Sequence, residues 1–254
     1  MRVNVYYHIW SPADTDLWKI MVDEQIKRLY SSGLTEVATV KCAINGVQAS
    51  RIKEFVSLYD WINIVDCRDS DEEYEGFTLK YLYEDCVNER AHKVMYFHTK
   101  GISHMCGARD HYSDRKVRAI NSWRHLMEWG CIDKWKENLD KLDHYQVSGV
   151  NYCLDPWPHM SGNFWWARAD YISTLQHPTK QAFLREKGDF GPIERMNFEK
   201  WVGMKDPSTF SFYNPPFSYD FKDMVPDVQP TPPGEPHWFW LYRDDIHPHY
   251  LKES

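Results

Sequence analysis

The sequence predicts an α/β protein built on a mostly parallel sheet. Three observations carry that expectation. Short β-branched or aromatic runs alternate with stretches of helical period, which is the pattern of right-handed βαβ units. The run VMYFHTKG, Val94 to Gly101, ends an apolar strand on His98, Thr99, Lys100 and a glycine turn. At 254 residues the chain is long enough to bury a full core as one domain.

The elements follow in order. Arg2–Trp10 is the first strand, closed by Ser11-Pro12. Asp14 or Thr15 caps a helix through Tyr30, with Trp18, Val22, Ile26 and Leu29 on one face and Gly33 as its stop. Glu36–Ala43 is the second strand, Ala49–Leu58 the second helix and Trp61–Val65 the third strand. An acidic loop follows with Asp66, Asp69, Asp71, Glu72, Glu73 and Glu75. Gly76–Arg90 is the third helix and Lys93–Phe97 the fourth strand. From Ser113 to Asp143, Ile120, Trp123, Met127, Cys131, Trp135, Leu139 and Leu142 keep helical spacing, with a break at Gly130. Tyr145–Tyr152 and Gly162–Ala167 return as strands, the latter running into a helix from Asp170. Between Pro207 and Pro236 proline and aromatic residues dominate without periodicity, as in a segment that wraps a domain surface. The reading is one domain over 1–254, with a first half (1–112), a second half (113–206) and a wrapping tail (207–254).

Composition excludes several function classes. A net charge of −7, without a run of four basic residues, argues against a nucleic-acid partner. Six cysteines stand singly with no C-x-x-C, as reduced thiols do. No stretch approaches eighteen apolar residues and MRVNVYYHIW does not read as a signal peptide, so a soluble, cytoplasmic protein is expected. G-x-S-x-G, H-E-x-x-H, Walker A and G-x-G-x-x-G are all missing from the sequence. Aromatic residues make up 16% of the chain, a surplus that suits stacking on sugar rings as well as core packing.

Two segments carry the candidate chemistry. Lys100, beside Thr99 and Gly101, is placed to neutralise a leaving phosphate. About sixty residues later HMSGNFWWARADYI sets Ser161, Gly162 and Asn163 beside Phe164, Trp165 and Trp166. Gly162 permits close backbone approach and Asn163 bonds hydroxyls, while strand alternation sends the two tryptophans to opposite faces. One of those rings is expected to meet a sugar and the other to join the core.

YFHTKG, followed by SWRHLMEW and then SGNFWWARADYI, resembles the GT-A glycosyltransferases, and within them small enzymes of bacterial polysaccharide loci and large algal viruses of the chlorella-virus type. The resemblance spans about residues 2 to 201. It implies a GT-A-like sheet and a nucleotide-sugar donor, with UDP-sugar expected, bound over the first half. It also implies an acceptor glycan or glycoprotein bound by the second half. Glycan biosynthesis or protein glycosylation in the cytoplasm, the host's if viral, is the expected setting. Donor contacts would come from His8, Asp66, Thr78, His98, Thr99 and Lys100, with Tyr7 and Lys80 nearby. Acceptor contacts would come from Asp155, His159, Ser161, Gly162, Asn163, Trp165 and Trp166. Inverting transfer needs a base, and Glu199 in NFEKW is the candidate, with Glu194 and Asp155 as rivals.

One departure matters. GT-A enzymes usually carry a metal-binding D-x-D at the end of the fourth strand, where this chain has His98-Thr99-Lys100. Asp69-Ser70-Asp71 lies earlier and Asp14-Thr15-Asp16 reads as a helix start. Either Asp69 and Asp71 hold Mn²⁺ or Mg²⁺, or Lys100 supplies a fixed charge instead. His247-Pro248-His249 lacks a third ligand at metal-site spacing. A carbohydrate-binding module without catalysis and a nucleotidyltransferase on the same sheet are the alternative readings.

Overall fold

A computed structural model describes residues 2–70, 74–105, 114–154, 157–179 and 193–212. The chain forms a mixed α/β fold around a seven-stranded, mostly parallel sheet flanked by helices. In chain order the first half contains β1 (Arg2–Ser11), α1 (Leu17–Ser31), β2 (Thr39–Gly46), α2 (Ala49–Val56), β3 (Ile62–Arg68), α3 (Gly76–Asn88), β4 (His92–His98) and α4 (Ile102–Met105). The second half contains α5 (Asp114–Glu128), a π-helical turn (Trp129–Asp133), α6 (Trp135–Lys141), β5 (Val147–Gly149), β6 (Tyr152–Cys153), β7 (His159–Met160), β8 (Trp165–Arg168), α7 (Ala169–Ile172), α8 (Ile193–Trp201) and β9 (Thr209–Ser211).

The sheet order is β3-β2-β1-β4-β8-β5-β9. The first four strands run parallel, β8 is antiparallel to β4 and β5, and β5 pairs parallel with β9. From β1 the chain moves outward to β2 and β3, then crosses back to β4 on the other side. Order therefore reverses between β1 and β4, which opens a crevice at their carboxyl ends.

Side-chain alternation divides the core between two faces. Val3, Val5, Tyr7, Ile9, Met95, Phe97 and Trp166 pack with α1, α2, α5 and α6. Tyr6, Val94, Tyr96, Trp165 and Ala167 pack with α3, α7 and α8.

Several boundaries differ from the sequence reading. The second strand begins at Thr39, because Gly33 at φ +74° leads into a 3-10 turn over Leu34–Glu36. It also runs on through Asn45 and Gly46, past the expected end at Ala43. The third strand extends to Arg68, so Asp66 lies in the sheet rather than in the acidic loop. The expected strand over Tyr145–Tyr152 splits into β5 and β6, since Asn151 at φ +66° turns the chain. Gly162 and Asn163, at φ +83° and +59°, form a turn before β8 instead of its first residues. The break at Gly130 is the π-helical turn; a Cβ there would collide with Val150. The proposed wrapping segment beyond residue 212, including His247 and His249, lies outside the described residues, as do Asp71 and Asp155.

Candidate active site at the switch point

β1 and β4 are in register so that His8 and His98 are direct partners at their carboxyl ends. Both histidines are almost fully buried, on the sheet face that carries α3. His8 Nδ1 lies 2.8 Å from Thr78 Oγ1, in the first turn of α3. His98 Nε2 lies 3.0 Å from the Gly162 carbonyl oxygen. A carbonyl only accepts, so this nitrogen carries a hydrogen. The Thr99 hydroxyl accepts from the Trp10 amide at 3.1 Å, and the Thr99 amide donates to the His8 carbonyl at 3.1 Å. The two strand ends are thereby tied into one wall.

Lys100 leaves that wall and donates to Glu199 Oε1 of α8 at 3.2 Å. Its ammonium also sits 4.5 Å from the Trp123 ring centroid on α5. The two candidate catalytic residues, 99 positions apart in sequence, thus form one ion pair. The turn beyond Lys100 requires glycine, because Gly101 has φ +88° and a Cβ would press on Ile120.

His8, Trp10, Tyr74, Glu75, His98, Thr99, Gly101, Ile102 and Ser103 line a cavity of about 20 Å³. That is room for a water molecule. Residues 71–73 and 106–113, next in sequence to two parts of this lining, lie outside the described residues.

Glu75 is the residue that sequence reasoning missed, having been counted only among the acids of a loop. It occupies the N-cap of α3 but makes no capping bond. Its Oε2 instead accepts from Asn163 Nδ2 at 2.6 Å, and its Oε1 lies 3.5 Å from His98 Nδ1. Its burial and its contacts, neither of them visible in the sequence, set it apart from the other acids of that stretch.

The acceptor candidates fare unevenly. Asn163 is buried and bridges Glu75 to Trp165, whose Nε1 donates to its Oδ1 at 2.8 Å. Gly162 supplies the carbonyl for His98, and a Cβ on it would meet Met127. The Ser161 amide donates to the Asn151 carbonyl at 3.0 Å. His159 Nδ1 donates to the Trp157 carbonyl at 2.7 Å. Trp165 and Trp166 do project to opposite faces, but both are fully buried, correcting the expectation that one ring faces a sugar. Trp166 Nε1 donates to the Cys131 carbonyl at 2.8 Å, and Trp165 stacks on Tyr96.

Asp66 stands on the outer strand β3, away from this lining. It accepts from Tyr81 Oη at 2.5 Å and from Arg68 at 2.9 Å. Partial burial pushes its carboxyl pKa up, but the Tyr81, Cys67 and Arg68 donors outweigh that and hold it below the ordinary value. Lys80 lies over the Phe77 and Tyr81 rings. Tyr7, expected near the donor contacts, is buried on the opposite sheet face and donates to Gln25 Oε1 at 2.6 Å. Asp69 accepts from Ser50 at 3.3 Å, outside the cavity wall. Glu194 lies on α8, at a position where only the backbone is described.

The described residues at the end of β4 do not suit a divalent cation. Lys100 already sets a positive charge against Glu199, and the Asn163 amide donates to Glu75. A different group, Glu24, His125 and Glu128, brings potential ligand atoms within 4.8 Å of one another. There Arg124 already donates to Glu24 at 2.9 Å and to Glu128 at 2.7 Å. A guanidinium thus fills the place a metal would take.

Fold and site together define a mixed α/β protein with a polar cleft at the switch point of its parallel strands. Residues 6–212 match the family described as "Domain of unknown function (DUF8361)", and the chain belongs to it. No curated protein matches. Seven solved chains match, among them a Desulfovibrio desulfuricans G20 structure titled a "putative nucleotide-diphospho-sugar transferase". That structure is 9% identical, covers 84% of this chain and 81% of its own, and has a TM-score of 0.39. Among the described residues no helix is long and apolar enough to cross a membrane.

Proposed function

We propose that this chain is a glycosyltransferase that moves a sugar from a nucleoside-diphosphate donor, with UDP-sugar first in line, to a glycan or glycoprotein hydroxyl. The observation that supports this reading is the Lys100–Glu199 pair, with Lys100 standing in the chain between the cavity-lining Thr99 and Gly101. In open α/β sheets such crevices receive the ligand. Lys100 supplies the fixed charge that stabilises the departing diphosphate, without a metal at that position. A diphosphate arriving at Lys100 competes with Glu199 for the ammonium. Once released, the carboxylate takes the proton of the acceptor hydroxyl, whose oxygen attacks the anomeric carbon as its bond to the diphosphate breaks. Direct displacement inverts that carbon. Asn163 and Gly162 bind the acceptor side only through the ordering of the wall, since their polar groups already have protein partners.

The cavity is too small for a nucleotide, so donor entry has to move part of the wall. The Lys100–Glu199 contact is the part this reading expects to open.

Release of nucleoside diphosphate across a panel of nucleotide sugars, with and without EDTA, tests the reading. Turnover of one donor is expected, insensitive to EDTA and reduced about 10²–10³-fold in Lys100→Ala, the scale of losing one preorganised charge contact. Retained turnover in Lys100→Ala or complete loss with EDTA contradicts this mechanism. Glycan binding without turnover of any donor favours the binding-module alternative.

A further inference from the structure

We propose that Glu75 and His98 share a proton, so that His98 stands in the cleft wall as an imidazolium held in place by Glu75. The argument begins with the hydrogen bond to Gly162, which commits Nε2 of His98 to carrying a hydrogen. A neutral ring would then turn a bare Nδ1 lone pair toward Glu75 Oε1, 3.5 Å away. An ionised carboxylate facing that lone pair is repulsive, and both side chains are only 5% exposed, so water screens little. One proton between them turns the contact into an attraction. It sits on nitrogen, because histidine is ordinarily the stronger base by about two pH units and the pair then gains its Coulomb energy.

Neither partner can turn aside cheaply. Glu75 Oε2 is held by Asn163, and Asn163 by the Trp165 indole. The His98 ring lies 5.2 Å from Phe164 and stacks at 6.2 Å on Tyr96. Among the described residues, the other charged groups nearby have their own partners: Lys100, two residues on, pairs with Glu199. Glu128 approaches the His98 carbonyl only through Gln25 on the opposite sheet face, while His8 is turned to Thr78. Glu75 is therefore a positioning residue that acts through His98.

The consequence for recognition rests on the glycosyltransferase reading. With His98 and Lys100 both cationic, the end of β4 presents two ion pairs, His98–Glu75 and Lys100–Glu199, where that reading places a diphosphate. Protonation itself follows from the geometry and does not depend on the ligand.

Nitrogen-15 spectra of the histidine rings of the full chain, recorded from pH 5 to 8.5 and assigned against His98→Gln, test the proposal. His98 is expected to keep hydrogen on both nitrogens at pH 7, with its titration about one unit or more above the ordinary 6.5. In Glu75→Gln the ring is expected to be mostly neutral at pH 7 with hydrogen on Nε2, titrating no higher than the ordinary 6.5. A neutral His98 in the unaltered protein at pH 7 overturns the proposal, and this spectrum decides the matter even if Glu75→Gln does not fold. An unchanged His98 titration in folded Glu75→Gln overturns it as well. The expected spectra without UDP binding to any form would uphold the proton pair and overturn the nucleotide reading.

Discussion

Two buried groups of charges lie on opposite sides of Gln25 and use similar side chains differently. Behind the sheet, Glu128 is completely buried between Arg124 at 2.7 Å and Arg28 at 3.3 Å. Arg28 also holds Asp133 at 2.6 Å, and Gln25 donates to Glu128 at 2.7 Å. Each of these charges has an opposite charge or an amide against it, and the group joins α1 to α5 and the π-helical turn. At the switch point, Glu75 lies between Asn163 and His98 beside a cavity, and Lys100 pairs with Glu199. The difference teaches where chemistry is available. A carboxylate locked between two guanidinium groups is structural, whereas a lysine–carboxylate pair at the switch point can exchange its partner for a ligand.

The largest expected effect breaks the closed group. Glu128→Ala leaves two buried guanidinium groups short of a counter-charge and is expected to cost about 3–5 kcal/mol by urea unfolding. Lys100→Ala is expected to cost less, about 1–2 kcal/mol, because it strips a counter-charge from one carboxylate rather than from two guanidinium groups. Equal losses would erase the distinction between the two groups.

Gly162→Ala comes next. It places a side chain at φ +83° against Met127, and roughly 1–3 kcal/mol should be lost in the same assay. Because the Gly162 carbonyl holds His98, the loss should be accompanied by a shift of the His98 ring resonances. Tyr7→Phe removes the hydroxyl that donates to Gln25 at 2.6 Å and is expected to cost about 1 kcal/mol. Gln25 also donates to the His98 carbonyl at 3.2 Å, so this substitution reports whether the closed group steadies the cleft from behind.

The smallest effect is with acid. Partial burial pushes the Glu24 carboxyl pKa up, but the His125 hydrogen bond and the Arg124 charge prevail and hold it at about 2. A depressed carboxyl contributes stability above its unfolded value of about 4.3, and that contribution disappears as pH falls toward 2. Glu24→Gln should therefore flatten stability against pH within that window, by a modest amount since the side chain is 41% exposed. Chelator should leave the melting temperature unchanged, because Arg124 stands where a metal would.

The helices and strands of the first half were legible because each has its own periodicity. Trp18, Val22, Ile26 and Leu29 mark one helix face, and VMYFH can be little else than a buried strand. Segments that owe their shape to backbone turns were less legible, as Asn151 and Asn163 show by adopting positive φ outside glycine. Lys100 and Glu199 were each readable as candidates, but not as partners, since 99 residues separate them. Glu75 was hidden among six acids of one stretch, and only its contacts set it apart.

By itself, then, the sequence determined the alternation of elements, the mostly parallel sheet and the polar end of β4, because these follow from side-chain period and local turn chemistry. Tertiary structure alone decided which charges meet. It aligned His8 with His98, brought α8 to Lys100, buried both tryptophans of SGNFWW and turned Glu75 toward His98. Those outcomes depend on strand order and on helices packed from distant parts of the chain, and no local pattern encodes a distance of that kind.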